Sequence, residues 1–235
     1  MKIISQIFNN NKSLNINNIN NLKVNTKISD IYIIGNGPSL NEINPNLLLN
    51  KFTIGTNRSW LWKKTNILVW RDNRITEELD FFQVEKLNSS KWICSEDKSF
   101  IKNKLSNYDY IIKNIDFTFK DKWMKNILGI NIKWNGIIFH AIAIAKYISP
   151  NATIHLLGVD LHASNSNHHF FNKINGFNQG FYNKAWDANN FNYKRRLDMM
   201  YNNFKVLKER GYNFKNYSKY SRLKELFGVE KINKI

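Results

Sequence analysis

Two glycines separated by one asparagine, Gly35-Asn36-Gly37, follow the apolar run Asp30 to Ile34 and precede Pro38-Ser39-Leu40. Glycines at such a turn let the backbone pass close to a ligand, and a helix starting there offers free N–H groups to phosphate. Pro38 suits a first helical position, and the Ser39 hydroxyl adds a donor. The full G-x-G-x-x-G pattern is not met, because position 40 is Leu. A plain tight turn does not require a carboxamide, so Asn36 marks the turn as a binding element. After the next apolar run comes Thr56-Asn57-Arg58, where Asn57 offers two donors and an acceptor to a base or ribose edge. Asp72, between Arg71 and Arg74, pairs with arginine more readily than with metal. Asn135-Gly136 opens an apolar helix, and Asp160 closes Gly158-Val159-Asp160.

A second group carries proton chemistry. His162, His168 and His169 fall in an irregular stretch rich in Asn, Gly and aromatics. Imidazole titrates near neutrality, so the adjacent His168 and His169 are candidates for general base or phosphate contact. Asp187, between Trp186 and Ala188, is the competing base, with apolar neighbours that would raise its pKa. His140 reads as a core histidine. The histidines lack a convincing set of metal-ligand partners and no D-x-D follows a strand, so no metal is expected.

These residues need a scaffold that presents them together. Strand-like runs at Asp30 to Ile34, Phe52 to Gly55, Ile67 to Trp70, Lys91 to Cys94, Tyr108 to Ile112, Thr153 to Leu157 and Tyr212 to Asn216 alternate with helical patterns. The helices are expected over Ser39 to Leu49, Thr76 to Leu87, Gly136 to Ile148, Phe191 to Arg210 and Tyr220 to Phe227. This alternation predicts an α/β fold with a mainly parallel sheet, Rossmann-like, with a lid segment over 161–190 after the strand ending at Asp160. Residues 1–29 read as an Asn-rich arm and 30–235 as one nucleotide-binding domain. Ligands of such sheets sit beyond the carboxyl ends of the strands. That rule picks out Gly35 to Leu40, Gly55 to Arg58, Trp70 to Arg74 and Gly158 to His162, and with them Gly35, Asn36, Gly37, Ser39, Asn57, Asp72 and Asp160, while the helix start at Asn135 and Gly136 could face the same phosphates or ribose.

Composition narrows the partners. Lys and Arg number 35 against 18 Asp and Glu, a formal charge of +17. A field of that sign draws in nucleotide phosphates, nucleic acid or an anionic membrane surface. Asn, Lys and Ile are all over-used, which also fits the codon bias of an AT-rich genome. From Phe191 to Ile235 there are twelve Lys and Arg against four Asp and Glu. No apolar run approaches the ~20 residues of a membrane span. The single cysteine, Cys94, excludes an intrachain disulfide, and a cytoplasmic location is expected.

The block Ile33-Ile34-Gly35-Asn36-Gly37-Pro38-Ser39-Leu40, the strand ending in Thr56-Asn57-Arg58, and the Asn135-Gly136 helix followed by Leu157-Gly158-Val159-Asp160 resemble the bacterial lipooligosaccharide sialyltransferases. A weaker match is Asn216-Tyr217-Ser218 after the last helix and strand. The wider group includes motility-accessory glycosyltransferases and pterin pyrophosphokinase-like proteins. The resemblance implies a GT-A-like variant of the fold and a metal-independent, inverting glycosyltransferase with a nucleotide-sugar donor and no cofactor. It implies that Asn36 and Ser39 contact the donor's phosphate and ribose, that Asn57 contacts the nucleotide, and that Asn135-Gly136 lies by the cytidine or its counterpart. The family's catalytic His lies shortly before the last long helix. Residues 183–196 hold no His here, so the base falls to His168 or His169, with Asp187 as the alternative. The acceptor is a glycan or a modified base in DNA. A third reading is a nucleotide-binding partner protein that has lost its base.

Overall fold

The computed structural model describes residues 17–18, 22, 27–71, 75, 78–79, 81–84, 90–94, 110–111, 122–130, 132, 136–161, 169–170 and 191–232. Its centre is an eight-stranded sheet in which every pairing is parallel. In chain order the strands are β1 (Asn17–Asn18), β2 (Asp30–Ile34), β3 (Phe52–Thr56), β4 (Ile67–Trp70), β5 (Lys91–Cys94), β6 (Tyr110–Ile111), β7 (Thr153–Leu157) and β8 (Phe214–Asn216). In space they run β1-β6-β5-β4-β3-β2-β7-β8. The α/β class read from the sequence is the one observed.

Helices cover both faces. The α-helices are α1 (Lys122–Leu128), α2 (Ile137–Ile148), α3 (Phe191–Glu209) and α4 (Lys224–Phe227). On one face Ile31, Ile33, Ile54, Val69, Ile154 and Leu156 pack against α1, α2 and α3. Alternate residues of the same strands form the other face, where Tyr32, Ile34 and Leu157 meet Leu40, Leu48 and Tyr217. Both faces being covered explains why runs such as Ile31 to Ile34 are apolar throughout instead of alternating. α2 is apolar all round because it lies on the sheet under α1, and Phe139 meets Phe204 of α3 with ring centroids 5.1 Å apart.

The structure departs from the sequence reading in several elements. The helix expected over Ser39 to Leu49 is two 3₁₀ turns, Pro38–Glu42 and Pro45–Leu48. Pro45 lacks the N–H that a continuous helix needs, and Asn44 instead caps the second turn by accepting from the Asn46 N–H. After β4, helical geometry begins by Ile75, ahead of the expected Thr76, and has become a turn by Phe82, although the pattern ran on to Leu87. α1 was not anticipated. The last helix is only Lys224–Phe227, because Asn216, Ser218 and Ser221 tie the preceding residues into side-chain-bonded turns. From the expected arm, Asn17–Asn18 add an edge strand beside β6, and Leu22 joins the core.

The strand order reverses between β2 and β7. From β2 the chain moves outward through β3 and β4, and it returns through α2 to β7 on the other side of β2. A crevice opens at such a switch point, beyond the carboxyl ends of the strands.

Candidate functional site

The end of β2 is bolted to the end of β7. The Gly35 N–H donates to the Leu157 carbonyl at 2.7 Å, and the Gly37 N–H donates to the Gly158 carbonyl at 2.8 Å. Asp160 completes the joint. Its carboxylate accepts from the Ser39 N–H at 2.9 Å and from the Ser39 hydroxyl at 2.5 Å, and it is buried. From the C-terminal side, the Ser221 hydroxyl donates to the Val159 carbonyl at 2.7 Å and the Arg222 N–H to the Asp160 carbonyl at 3.3 Å.

The two glycines of the turn meet a neighbouring strand end. A Cβ on Gly35 would overlap the Gly158 carbonyl oxygen and come within 2.8 Å of its carbon. A Cβ on Gly37 would overlap the Asp160 carboxylate and come within 2.8 Å of the Gly158 carbonyl oxygen. The glycines are therefore required by the close approach of β7. Ser39 and Asp160, both expected on the donor side, are hydrogen-bonded to one another.

Asn36, between the glycines, turns toward β3. Its Nδ2 donates to the Thr56 carbonyl at 2.9 Å and to the Thr56 Oγ1 at 3.2 Å. The Thr56 hydroxyl in turn donates to the Ile34 carbonyl at 3.0 Å. These bonds fix which end of the carboxamide is nitrogen. The other end, Asn36 Oδ1, is buried with no hydrogen-bond donor among the described residues, and so is Asn57 Oδ1 on the residue after Thr56. Asn57 holds φ at 47°, a left-handed conformation that Asn tolerates better than most residues. Next to it, buried Arg58 makes a two-pronged ion pair with Glu78, with Nε to Oε2 at 2.7 Å and the second prong between Nη2 and Oε1. That pair anchors the turn to the helical residues after β4. Two buried acceptor oxygens from neighbouring strand ends thus lie beside the switch point with no donor among the described residues. A buried acceptor left unpaired costs about 1–3 kcal/mol, which a ligand hydroxyl or amine would recover.

The start of α2 belongs to the same rim. The Ser149 hydroxyl, at the other end of α2, donates to the Ile28 carbonyl just ahead of β2. Twelve helical residues span roughly 18 Å, which carries Gly136 to the carboxyl side of the sheet. Gly136 caps α2 in an extended conformation with no side-chain hydrogen bond, and a Cβ there would come within 3.2 Å of Met200 Cε on α3. The expected lid also touches the turn. The Phe170 N–H donates to the Asn36 carbonyl at 3.0 Å and Phe170 is buried. Half-buried His169 is therefore one residue from the contact. His162, His168, Asp187, Asp72 and Asn135 lie outside the described residues. His140 is buried on α2 as a core residue.

Sequence reasoning missed Thr56, Glu78 and Phe170. Thr56 carried a signal, since it stands in the quoted Thr56-Asn57-Arg58. Glu78 and Phe170 had none, because ion pairing and lid docking are set by tertiary contact.

A separate polar cluster occupies the middle of the sheet on the face opposite α2. His155 stacks on Tyr32 with ring centroids 4.1 Å apart. Its Nδ1 lies 2.9 Å from the Tyr217 hydroxyl and its Nε2 lies 2.8 Å from Asp30 Oδ1. Nε2–H donates to the carboxylate and Nδ1 accepts from the phenol in the neutral tautomer. Burial holds the His155 pKa below its ordinary value, against the opposing pull of Asp30. Burial also pushes the Tyr217 hydroxyl up to about 12. Asp30 is held below the usual carboxylate range, chiefly by the Ser29 hydroxyl that donates to it.

Among the described residues, no three His, Cys, Asp or Glu side chains gather as a metal site, and no helix is long and apolar enough to cross a membrane. No family model matches the chain, and no curated protein matches it. Two similar solved structures are sialyltransferases of Campylobacter jejuni. The monofunctional α-2,3-sialyltransferase Cst-I is 18% identical with a TM-score of 0.56, covering 90% of this chain and 83% of its own. The sialyltransferase CstII, solved in complex with the substrate analogue CMP-3FNeuAc, is 18% identical with a TM-score of 0.54, covering 86% of this chain and 87% of its own. At that identity the likeness shows a shared fold. Neither structure bears on the motility-accessory or pterin pyrophosphokinase-like part of the resemblance.

Proposed function

We propose that the protein is a glycosyltransferase that takes a nucleotide-activated sugar, with the donor seated between the β2 turn, the β3 end and the start of α2. The observation that carries this reading is the pair of buried acceptors, Asn36 Oδ1 and Asn57 Oδ1, that find no donor among the described residues at the switch point of the sheet. Ribose hydroxyls and an exocyclic base amine are donors of the kind they lack. The free N–H groups at the α2 start suit the donor phosphate. The likeness to sialyltransferase structures, one of them solved with a CMP-sugar analogue, favours a cytidine nucleotide.

The reaction is a single displacement with inversion that needs no metal. A base takes the proton of an acceptor hydroxyl, the hydroxyl oxygen bonds to the anomeric carbon, and the bond from that carbon to the phosphate oxygen breaks. His169 is the proposed base, because the contact of Phe170 with Asn36 sets it beside the turn. His168 and Asp187 remain the alternatives for this role. A place in the cytoplasm, where sugar nucleotides are made, fits the reading.

A thermal-shift series with CMP, CMP-sialic acid and UDP-sugars tests it. A true donor at ~100 times its Kd stabilises by about 2.7 kcal/mol. Asn57→Gly keeps a backbone that accepts positive φ and removes the carboxamide, so it should weaken nucleotide binding by about 2 kcal/mol. Apo stability should change by less than about 1 kcal/mol. Absence of any shift with every nucleotide and nucleotide sugar would falsify the reading.

A further inference from the structure

The positive charge of α3 is concentrated at one end. Its first six residues, Phe191 to Arg196, carry Lys194, Arg195 and Arg196 and no acid. The remaining thirteen, Leu197 to Glu209, balance Lys205 and Lys208 against Asp198 and Glu209. Asp198 is engaged by Arg222, whose Nη1 lies 2.5 Å from Oδ1 while its guanidinium sits 4.2 Å over the Tyr201 ring. A charge run that served only solubility would have no reason to end where it does.

The charged end is the one that overhangs the site. Met200 meets the start of α2 at Gly136. The helix runs from there down to Gly211, which leads into β8. Lys194 is six residues further out than Met200, roughly 9 Å beyond the carboxyl rim. Lys194 and Arg195 are exposed and Arg196 is half-buried.

We infer that Lys194 and Arg195, at the overhanging end of α3, bind the acceptor, and that this acceptor is a saccharide bearing a phosphate or carboxylate group. The inference rests on the glycosyltransferase reading above. Two exposed cations beyond the donor pocket would attract the acid group of the acceptor while its hydroxyl reaches the anomeric carbon. Charge-assisted bonds of this kind are about twice as strong as neutral ones. The balanced charge of the rest of α3 favours a compact anionic group at the rim over a nucleic-acid duplex tracking along the helix.

Binding of four probes to the CMP-saturated protein, followed by NMR titration, tests this. The probes are mannose 6-phosphate, a glucuronic-acid tetrasaccharide, and the neutral sugars mannose and chitotetraose. At least one acidic probe should bind about tenfold or more tightly than its neutral counterpart. The phosphate and carboxylate arms say which acid is used. Lys194→Ala/Arg195→Ala keeps good helix formers and should abolish that preference while leaving CMP affinity unchanged. Equal binding of acidic and neutral sugars overturns the inference. So does a double variant that binds the acidic probe as the parent does. A short DNA duplex that binds more tightly than either saccharide, with a steep salt slope lost in the double variant, overturns it in favour of nucleic acid. If CMP fails to bind while the acidic probe keeps its preference, the donor reading fails and the anion site stands.

Discussion

Two parts of the molecule hold buried polar groups, and they differ in completeness. In the middle of the sheet, Asp30, His155 and Tyr217 account for one another, with each ring nitrogen of His155 paired. At the carboxyl rim, Asn36 and Asn57 each bury a carboxamide oxygen with no donor among the described residues. A His–Asp–Tyr arrangement looks more like catalytic machinery than two asparagines do. The hydrogen-bond accounting argues the reverse. With both ring nitrogens engaged, His155 has none left for a substrate, and its bond with Tyr217 helps hold the C-terminal segment on the sheet. The open pair at the rim is, on the proposed reading, the part that a ligand would complete. Substitutions should therefore separate the two regions, the first changing stability and the second changing binding.

The largest effect is expected where the rim meets the scaffold. Gly35→Ala places a methyl group against the backbone of Gly158, which cannot swing away as a side chain would. Overpacking of this kind typically costs 1–3 kcal/mol, and a clash with backbone puts this site near the top, about 3 kcal/mol. Urea unfolding of the variant checks it. A loss under about 1 kcal/mol would show that β7 yields, and the turn would then be open to the phosphate role first read from the sequence.

Tyr217→Phe probes the closed cluster. It removes the donor to His155 Nδ1 and leaves that nitrogen buried and unpaired. The expected loss is about 1–2 kcal/mol of stability, with CMP affinity unchanged. Weaker nucleotide binding at unchanged stability would reverse the comparison and move the functional centre toward His155.

How much of this was legible beforehand depends on what fixes each feature. Strands β2 and β4 announced themselves because parallel strands covered on both faces are apolar nearly throughout, as in Ile31 to Ile34 and Ile67 to Trp70, while β3 and β7 showed as short β-branched runs ending in turn residues. The position of Asn36 and Asn57 at strand ends followed from the same pattern. Their orientation did not, since only the pairing of β2 with β3 sets the Asn36 amide on Thr56. Ser39 and Asp160 were both singled out, but their bond to one another was not foreseen. A hydroxyl near a glycine turn suits phosphate or carboxylate equally well in one dimension, and the two residues are 121 positions apart. Asn17–Asn18 could not be seen as a strand, because two residues carry no period.

The smallest effect is a pH dependence, and it follows from the closed cluster alone. Burial lowers the folded pKa of His155 below the ordinary value near 6.5, despite the attraction of Asp30. In the unfolded chain the imidazole takes up its proton near 6.5, ahead of the folded state. The unfolded state therefore binds more protons between the two values, and stability falls as pH drops through that window. Above 6.5 the contribution is fully present. Asp30 acts in a lower window, since its folded pKa lies below the ordinary value of 3.8 and its contribution is lost only on further acidification through that range. His155→Gln has no proton to take up, so its urea midpoint should lose the slope just below pH 6.5 and keep the one that belongs to Asp30. Persistence of the upper slope in His155→Gln would assign it to another group. A parent protein whose stability is flat below pH 6.5 would mean that Asp30 compensates burial in full, leaving His155 free to charge in place.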